Sequence, residues 1–188
     1  MKERILKAAE EVFAEKGYYN TKVYQIAEVA GVSVGTIYRF YDSKEELYAE
    51  VIKTKLKELE RRVSRAIRGK EPEEAVRAYI ETVVDFFEEE KRFFELFMRE
   101  VGSLVIPNEE RLNLSEWYDK YTAKLSRVIE KGIEKGVFKP LHPRATILII
   151  SGALKNLLYA SVKGFIELEP DEIKKTLIEF VEKGILIS

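Results

Sequence analysis

Residue types that carry covalent chemistry are scarce in this chain. There is no Cys, so there is no thiolate nucleophile, disulfide framework or Cys-based metal site, and the one histidine, His142, lies between Leu141 and Pro143. A Ser–His–Asp triad would have to rest on this one histidine, and most zinc sites need more His or Cys ligands than the chain has. His142 reads as an N-cap neighbour or a surface residue. Carboxylate pairs such as Glu109 and Glu110 are plentiful, but they read as solvated helix faces and as i, i+4 partners of Lys or Arg. No catalytic residue, metal or cofactor is expected. What remains is hydrogen bonding and charge. From Thr21 to Lys44 the candidate groups are the hydroxyls of Ser33 and Thr36, the phenols of Tyr24 and Tyr38, the Gln25 amide, the Arg39 guanidinium and the Lys44 ammonium. Such groups bind phosphate oxygens and, for Arg and Gln, the edges of bases.

Those side chains are useful only if short helices aim them. Ile5, Ala8, Ala9, Val12 and Phe13 fall on one stripe of a first helix, which Gly17 can end in a left-handed cap. A second helix is predicted from Thr21 as N-cap, burying Ile26, Ala27 and Ala30, and Gly31 then supplies the turn. Ser33 is the predicted N-cap of a third helix ending near Tyr41, with Val32 at N′ positioned to staple onto Ile37. On that helix Val34, Ile37 and Tyr41 share the inward stripe, leaving Thr36, Tyr38 and Arg39 facing out. Ser43 and Glu46 form a capping box opening a long fourth helix. Lys44 sits in its first turn, where an ammonium adds to the positive end of the helix dipole and both can face one phosphate. Thr21 and Ser33 read first as caps and second as phosphate contacts, and Tyr24 and Gln25 are further candidates.

Two short helices joined by a Gly-containing turn form the helix-turn-helix that projects one helix into the major groove. The run TKVYQIAEVAGVSVGTIYRFYDSKEEL resembles the signature of the tetracycline-repressor family, with IA, AGVS, GT-I-Y and SKEEL in order and spacing. The resemblance covers about a quarter of the chain. It implies an all-α fold with a helix-turn-helix DNA-binding domain over residues 1–47 and a helical ligand-binding and dimerisation domain over 48–188. It also implies a ligand-responsive repressor that binds a palindromic double-stranded operator as a homodimer. Tyr38 matches the family's motif tyrosine and Lys44 its SK lysine. Phe40 and Tyr41 depart from the pattern, since members usually carry His or Tyr followed by Phe there, so Phe40 lacks a hydrogen-bonding group.

Charge gives this reading no help. The 188 residues carry 32 Lys plus Arg against 33 Asp plus Glu, and through residue 50 seven cations face nine carboxylates. A net-negative head must present one locally cationic face and bind random DNA poorly. The start lacks the long apolar segment of a secretory signal, which by default gives a cytoplasmic address. Charged residues at 35%, a single Gln and no Cys are a bias shared with proteins that work at high temperature.

The remaining chain is a series of amphipathic helices separated at Gly69–Pro72, Gly102–Asn108, Gly136–Pro140 and before Pro170. Phe86, Phe87, Phe94, Phe97, Met98, Trp117 and Tyr121 are many large groups for such a body, and the resemblance implies an effector cavity among them. Asn156 and Tyr159 could supply its polar handles, which suits a lipophilic or acyl-chain small molecule. The stretch Ala145 to Leu154 is apolar all round. It falls short of a bilayer span, so no membrane is expected. Cover by a second copy explains it, and the dimer interface is assigned to residues 143–164 and 170–184. An enzyme, and a helical binding or architectural protein that regulates no gene, are the rival readings.

Overall fold

The computed structural model describes residues 1–92, 94 and 114–187. Its helices are α1 (Lys2–Asn20), α2 (Val23–Ala30), α3 (Val34–Tyr38), α4 (Lys44–Ala66), α5 (Pro72–Glu89), α6 (Leu114–Glu134), α7 (Pro143–Val162) and α8 (Pro170–Ile185). Among the described residues the one strand-like pairing is an antiparallel bridge between Phe138 and Leu186. The fold is all-α. Two compact units emerge, one formed by Met1–Glu58 with the segment from Glu90, the other by Leu59–Glu89 with the chain from Ser115.

In the first unit α1 packs on α2 and α2 on α3. The α1 stripe Ile5, Ala8, Ala9, Val12 and Phe13 is buried, as its spacing predicts. Gly17 does not end the helix outright. Its φ of 76° breaks the winding, which resumes to Asn20, and beyond it Tyr18 is buried 6.1 Å from the Phe13 ring and 5.0 Å from that of Tyr48 on α4. Thr21 departs from its predicted role. Lys22, not Thr21, is the N-cap of α2, and its backbone N–H is bound at 2.9 Å by the Gln25 side chain. Thr21 is fully buried and donates to the Gly17 carbonyl at 2.7 Å. At the other end of α2, Gly31 adopts φ 60° and ψ 42°, and the Val32 N–H closes back on the Ala27 carbonyl at 2.9 Å. That left-handed turn suits glycine, because a Cβ clashes with the following carbonyl there.

The second unit is built on α8, which packs against α5 and α7, with α5 also meeting α7. Ile80, Val84 and Phe87 on α5, Ile147, Ile150 and Leu154 on α7, and Ile173, Leu177 and Val181 on α8 are buried. Tyr79 and Ser151 share a hydrogen bond of 2.9 Å between α5 and α7. Phe138 is buried over Gly132, where any Cβ would lie 2.0 Å from its ring. The Lys139 ammonium, 3.0 Å from the Gly184 carbonyl, caps the end of α8.

Three sequence expectations change. The spacing of Ile173, Leu177, Phe180 and Val181 near i, i+4, i+7 and i+8 predicts that Phe180 faces inward on α8, but it is 69% exposed, because the buried set there is Ile173, Leu177, Ile178 and Val181. Val34 is exposed as well, so the inward stripe of α3 reduces to Ile37 and Tyr41. The apolar run in α7 understated its helix. At 20 residues α7 is long and apolar enough to cross a bilayer by length and composition alone, yet only 28% of its apolar window is buried within the chain.

Candidate nucleic-acid interface

Helix α3 is short because Ser33 starts it and the chain tightens at once. The Ser33 hydroxyl accepts from the Thr36 N–H at 3.1 Å, and Arg39 is the C-cap, so the regular helix stops at Tyr38 rather than near Tyr41. Beyond it the N–H groups of Phe40 and Tyr41 both return to the Ile37 carbonyl, at 2.9 and 3.0 Å. This turn holds Ile37 and Tyr41 inward. Tyr38, 49% exposed, and Arg39 face outward, with Phe40 exposed beside them. Thr36 is half-buried and its hydroxyl lies 2.9 Å from that of Ser33, so each can lend its second hydrogen-bonding position outward.

The sequence placed Lys44 as a phosphate contact, and the structure gives its ammonium inner partners. It donates to the carbonyls of Tyr18 at 2.8 Å and Thr21 at 3.0 Å and stands 4.3 Å from the Tyr18 ring. Those carbonyls close the end of α1, where the dipole is negative, so a cation there is favoured on two counts. Lys44 and Thr21 thus hold the end of α1 against the start of α4. Tyr18 joins them, its hydroxyl donating to a Glu45 carboxylate oxygen at 2.6 Å. That bond holds the Glu45 carboxyl below its ordinary 4.5, with a backbone N–H helping. The α4 capping box is also shifted by one residue: Ser43 accepts from Glu46 N–H at 3.1 Å, but Glu46 reaches back to the Asp42 N–H rather than to that of Ser43.

Tyr24 is exposed, while Gln25 is half-buried and engaged in the cap of α2. Two cations that the sequence reading passed over lie beside the turn. The Arg4 guanidinium is 3.4 Å from the Gly31 carbonyl, and the Lys2 ammonium stands 5.4 Å from the Tyr41 ring. Their signal was available as basic residues preceding the first apolar position of α1. Tyr41 itself is buried with its hydroxyl unpartnered among the described residues, and burial, followed by Glu50 and Glu46, pushes its pKa up to about 12.

Of the aromatic set in the body, Phe86, Phe87, Phe94 and Tyr121 are buried, and Trp117 stacks on Tyr121 at 5.0 Å and 12°. Phe97 and Met98 lie outside the described residues. The Trp117 indole nitrogen is buried without a hydrogen-bond partner among the described residues, and the buried Tyr121 hydroxyl has the Tyr79 phenol as its polar neighbour. Asn156 does not join them: it is exposed on α7, in the row of Ile149, Gly152 and Ala153. Tyr159 is half-buried, 6.3 Å from the exposed Phe165 ring. His142 is itself the N-cap of α7, its Nδ1 accepting from the Ala145 N–H at 3.3 Å.

Two family descriptions match this chain: bacterial regulatory proteins of the tetR family over residues 5–51, and the tetracyclin repressor-like C-terminal domain over residues 69–159. The HTH-type transcriptional regulator YhgD of Bacillus subtilis is 30% identical, the alignment covering 98% of this chain and 96% of that protein. The HTH-type regulator YfiR of the same organism is 29% identical over 87% of this chain and 85% of its own length. Among solved structures, the transcriptional regulator FadR from Bacillus subtilis in complex with stearoyl-CoA superposes with a TM-score of 0.81 at 23% identity, covering 98% of this chain and 99% of that one. The short α3 with its outward Tyr38 and Arg39, carried on a helix-turn-helix closed by Gly31, belongs to a chain whose whole length aligns with DNA-binding regulators: this protein is a member of the tetR family of transcription regulators.

Proposed function

We propose that the protein is a ligand-responsive repressor, not an enzyme, that binds a palindromic operator in the cytoplasm as a homodimer. Residues 1–47 form its reading head and 48–188 its effector and dimer domain. The observation that carries this reading is the outward row on α3, where Ser33, Thr36, Tyr38 and Arg39 stand over the buried anchors Ile37 and Tyr41. Arg39 reads a base or grips phosphate, Tyr38 and the Ser33–Thr36 pair bind the backbone, and Tyr24 and Gln25 contact the flanking strand. Thr21 and Lys44 act from behind by fixing the approach of α1 to α4. Footprinting of the DNA upstream of its own gene tests this. One protected palindrome is expected, and Arg39→Ala weakens binding by roughly 10- to 100-fold, about 1–3 kcal/mol, without lowering the melting midpoint. Equal affinity for random DNA would count against it.

The dimer is assigned to α7 and α8. Ile149, Phe165 and Phe180, between 66% and 73% exposed, are large apolar groups that a second copy covers. The effector is assigned to the acyl-chain class, on the buried Phe86, Phe87 and Tyr121, with half-buried Trp117 stacked on Tyr121, and on the stearoyl-CoA of the FadR structure. Tyr159 and the polar groups of Trp117 and Tyr121, rather than the exposed Asn156, are its proposed polar handles. Trp117 is the only tryptophan. Its emission should shift on titration with stearoyl-CoA, with release of the operator; unchanged emission and unchanged operator binding would remove the acyl reading.

A further inference from the structure

Within the second unit, the turn between α4 and α5 and one face of α6 enclose a cleft of about 620 Å³, a size that suits a small molecule. Six of its lining side chains are cations: Arg68, Lys70, Lys124, Arg127, Lys131 and Lys135. Only Glu71 and Glu134 oppose them on the lining. Lys124 pairs with Glu60 and Lys135 with Glu71, but Arg68, Lys70, Arg127 and Lys131 have no ionic partner among the described residues. In a chain of net charge −1 this is a local excess. It is also locally unfavourable, since Arg127 and Lys131 stand at i and i+4 on one face of α6, where like charges repel, and Lys135 follows just past its end. A conflict of that kind persists where a counter-charge is expected from outside.

We propose that this cleft binds a small polyphosphate anion, distinct from the aromatic cluster assigned to the acyl chain and independent of that reading. The two guanidiniums grip phosphate oxygens bidentately and the lysines supply point charges around them. The apolar floor at Ile67, Ala75 and Val128 leaves room for a ring or chain attached to the phosphates.

Calorimetric titration of the full-length protein at about 50 mM salt tests this, with pyrophosphate, ADP and free coenzyme A as probes. Saturable binding of at least one is expected. The double substitution Arg127→Glu with Lys131→Glu should weaken it by at least about tenfold, and Lys70→Glu should weaken it less. Both variants change exposed side chains, and a circular dichroism melt confirms that they fold. Lys175→Glu, a charge change equal to that of Lys70→Glu at an exposed position of α8, should leave binding within about twofold. Tighter binding of ADP or coenzyme A than of pyrophosphate would identify a nucleotide as the source; the reverse would identify a free polyphosphate. Absence of saturable binding, equal loss in the Lys175 variant, or loss of operator affinity in the double variant with no loss of anion binding would overturn the proposal.

Discussion

In the unit that carries α1 to α3, polar side chains are tied into the backbone: buried Thr21 to the Gly17 carbonyl, half-buried Lys44 to the carbonyls of Tyr18 and Thr21. Lys55 is buried there too, with its ammonium 3.0 Å from Glu10 and 2.7 Å from Glu90. Burial alone would lower its pKa, but the two carboxylates outweigh that and raise it. In the unit of α5 to α8, the Trp117 nitrogen is buried unpartnered among the described residues, and Ile149, Phe165 and Phe180 stand exposed. Tyr41, with its unpartnered hydroxyl, is the exception in the first unit. The contrast is one of polar satisfaction: in the first unit ionic and backbone partners close most buried polar groups, whereas the second carries the exposed apolar groups that the proposed dimer would cover.

The comparison breaks most visibly at the exposed apolar row. Ile149→Asp combined with Phe180→Asp should raise the dimer dissociation constant on the order of a hundredfold or more while the monomer stays folded, as read by sedimentation equilibrium. A variant that still sediments as a dimer would mean that the body is covered some other way. Gly132→Ala comes next. Its Cβ would meet the Phe138 ring at 2.0 Å, so Phe138 must leave its buried seat, costing about 3 kcal/mol in urea unfolding. If stability stays unchanged, the Gly132–Phe138 contact does not fix the end of α6. In the head, Lys44→Met removes the donor from two carbonyls and should cost roughly 2 kcal/mol. Operator affinity should fall with it, unlike Arg39→Ala, which leaves stability alone. If Lys44→Met instead weakens DNA binding without any loss of stability, its ammonium contacts phosphate directly.

The smallest effect concerns pH. Glu45 titrates below its ordinary range chiefly because the Tyr18 hydroxyl donates to it. A carboxylate depressed in the folded state contributes stability that is present above its unfolded pKa and disappears as pH falls through the folded value. Tyr18→Phe should therefore flatten the fall of the melting midpoint below about pH 4.5, by less than about 1 kcal/mol because Glu45 is partly solvated. A wild-type acid slope retained in full would assign that stability to other carboxylates.

Local signals made the head legible. The spacing of Ile5, Ala8, Ala9, Val12 and Phe13, the Ser33 cap and the Gly31 turn each depend on neighbours within a few residues, and each stands in the structure. The inner partners of Lys44 and the true role of Thr21 were not legible, because a Lys in a first turn and a Thr before a helix have good local roles, while their partners lie 26 and 23 residues away for Lys44, and in the preceding helix for Thr21. Asn156 and Phe180 misled for a related reason: helical periodicity says which residues share a stripe, not which stripe meets a neighbour. By itself the sequence determined the helices, their order and the outward direction of Tyr38 and Arg39, because backbone capping and periodicity are short-range. Only tertiary packing decided that Lys44 and Thr21 brace the end of α1, that Phe180 faces away from the core, and that cations from the α4–α5 turn and from α6 surround one cleft, because each depends on which distant surfaces meet.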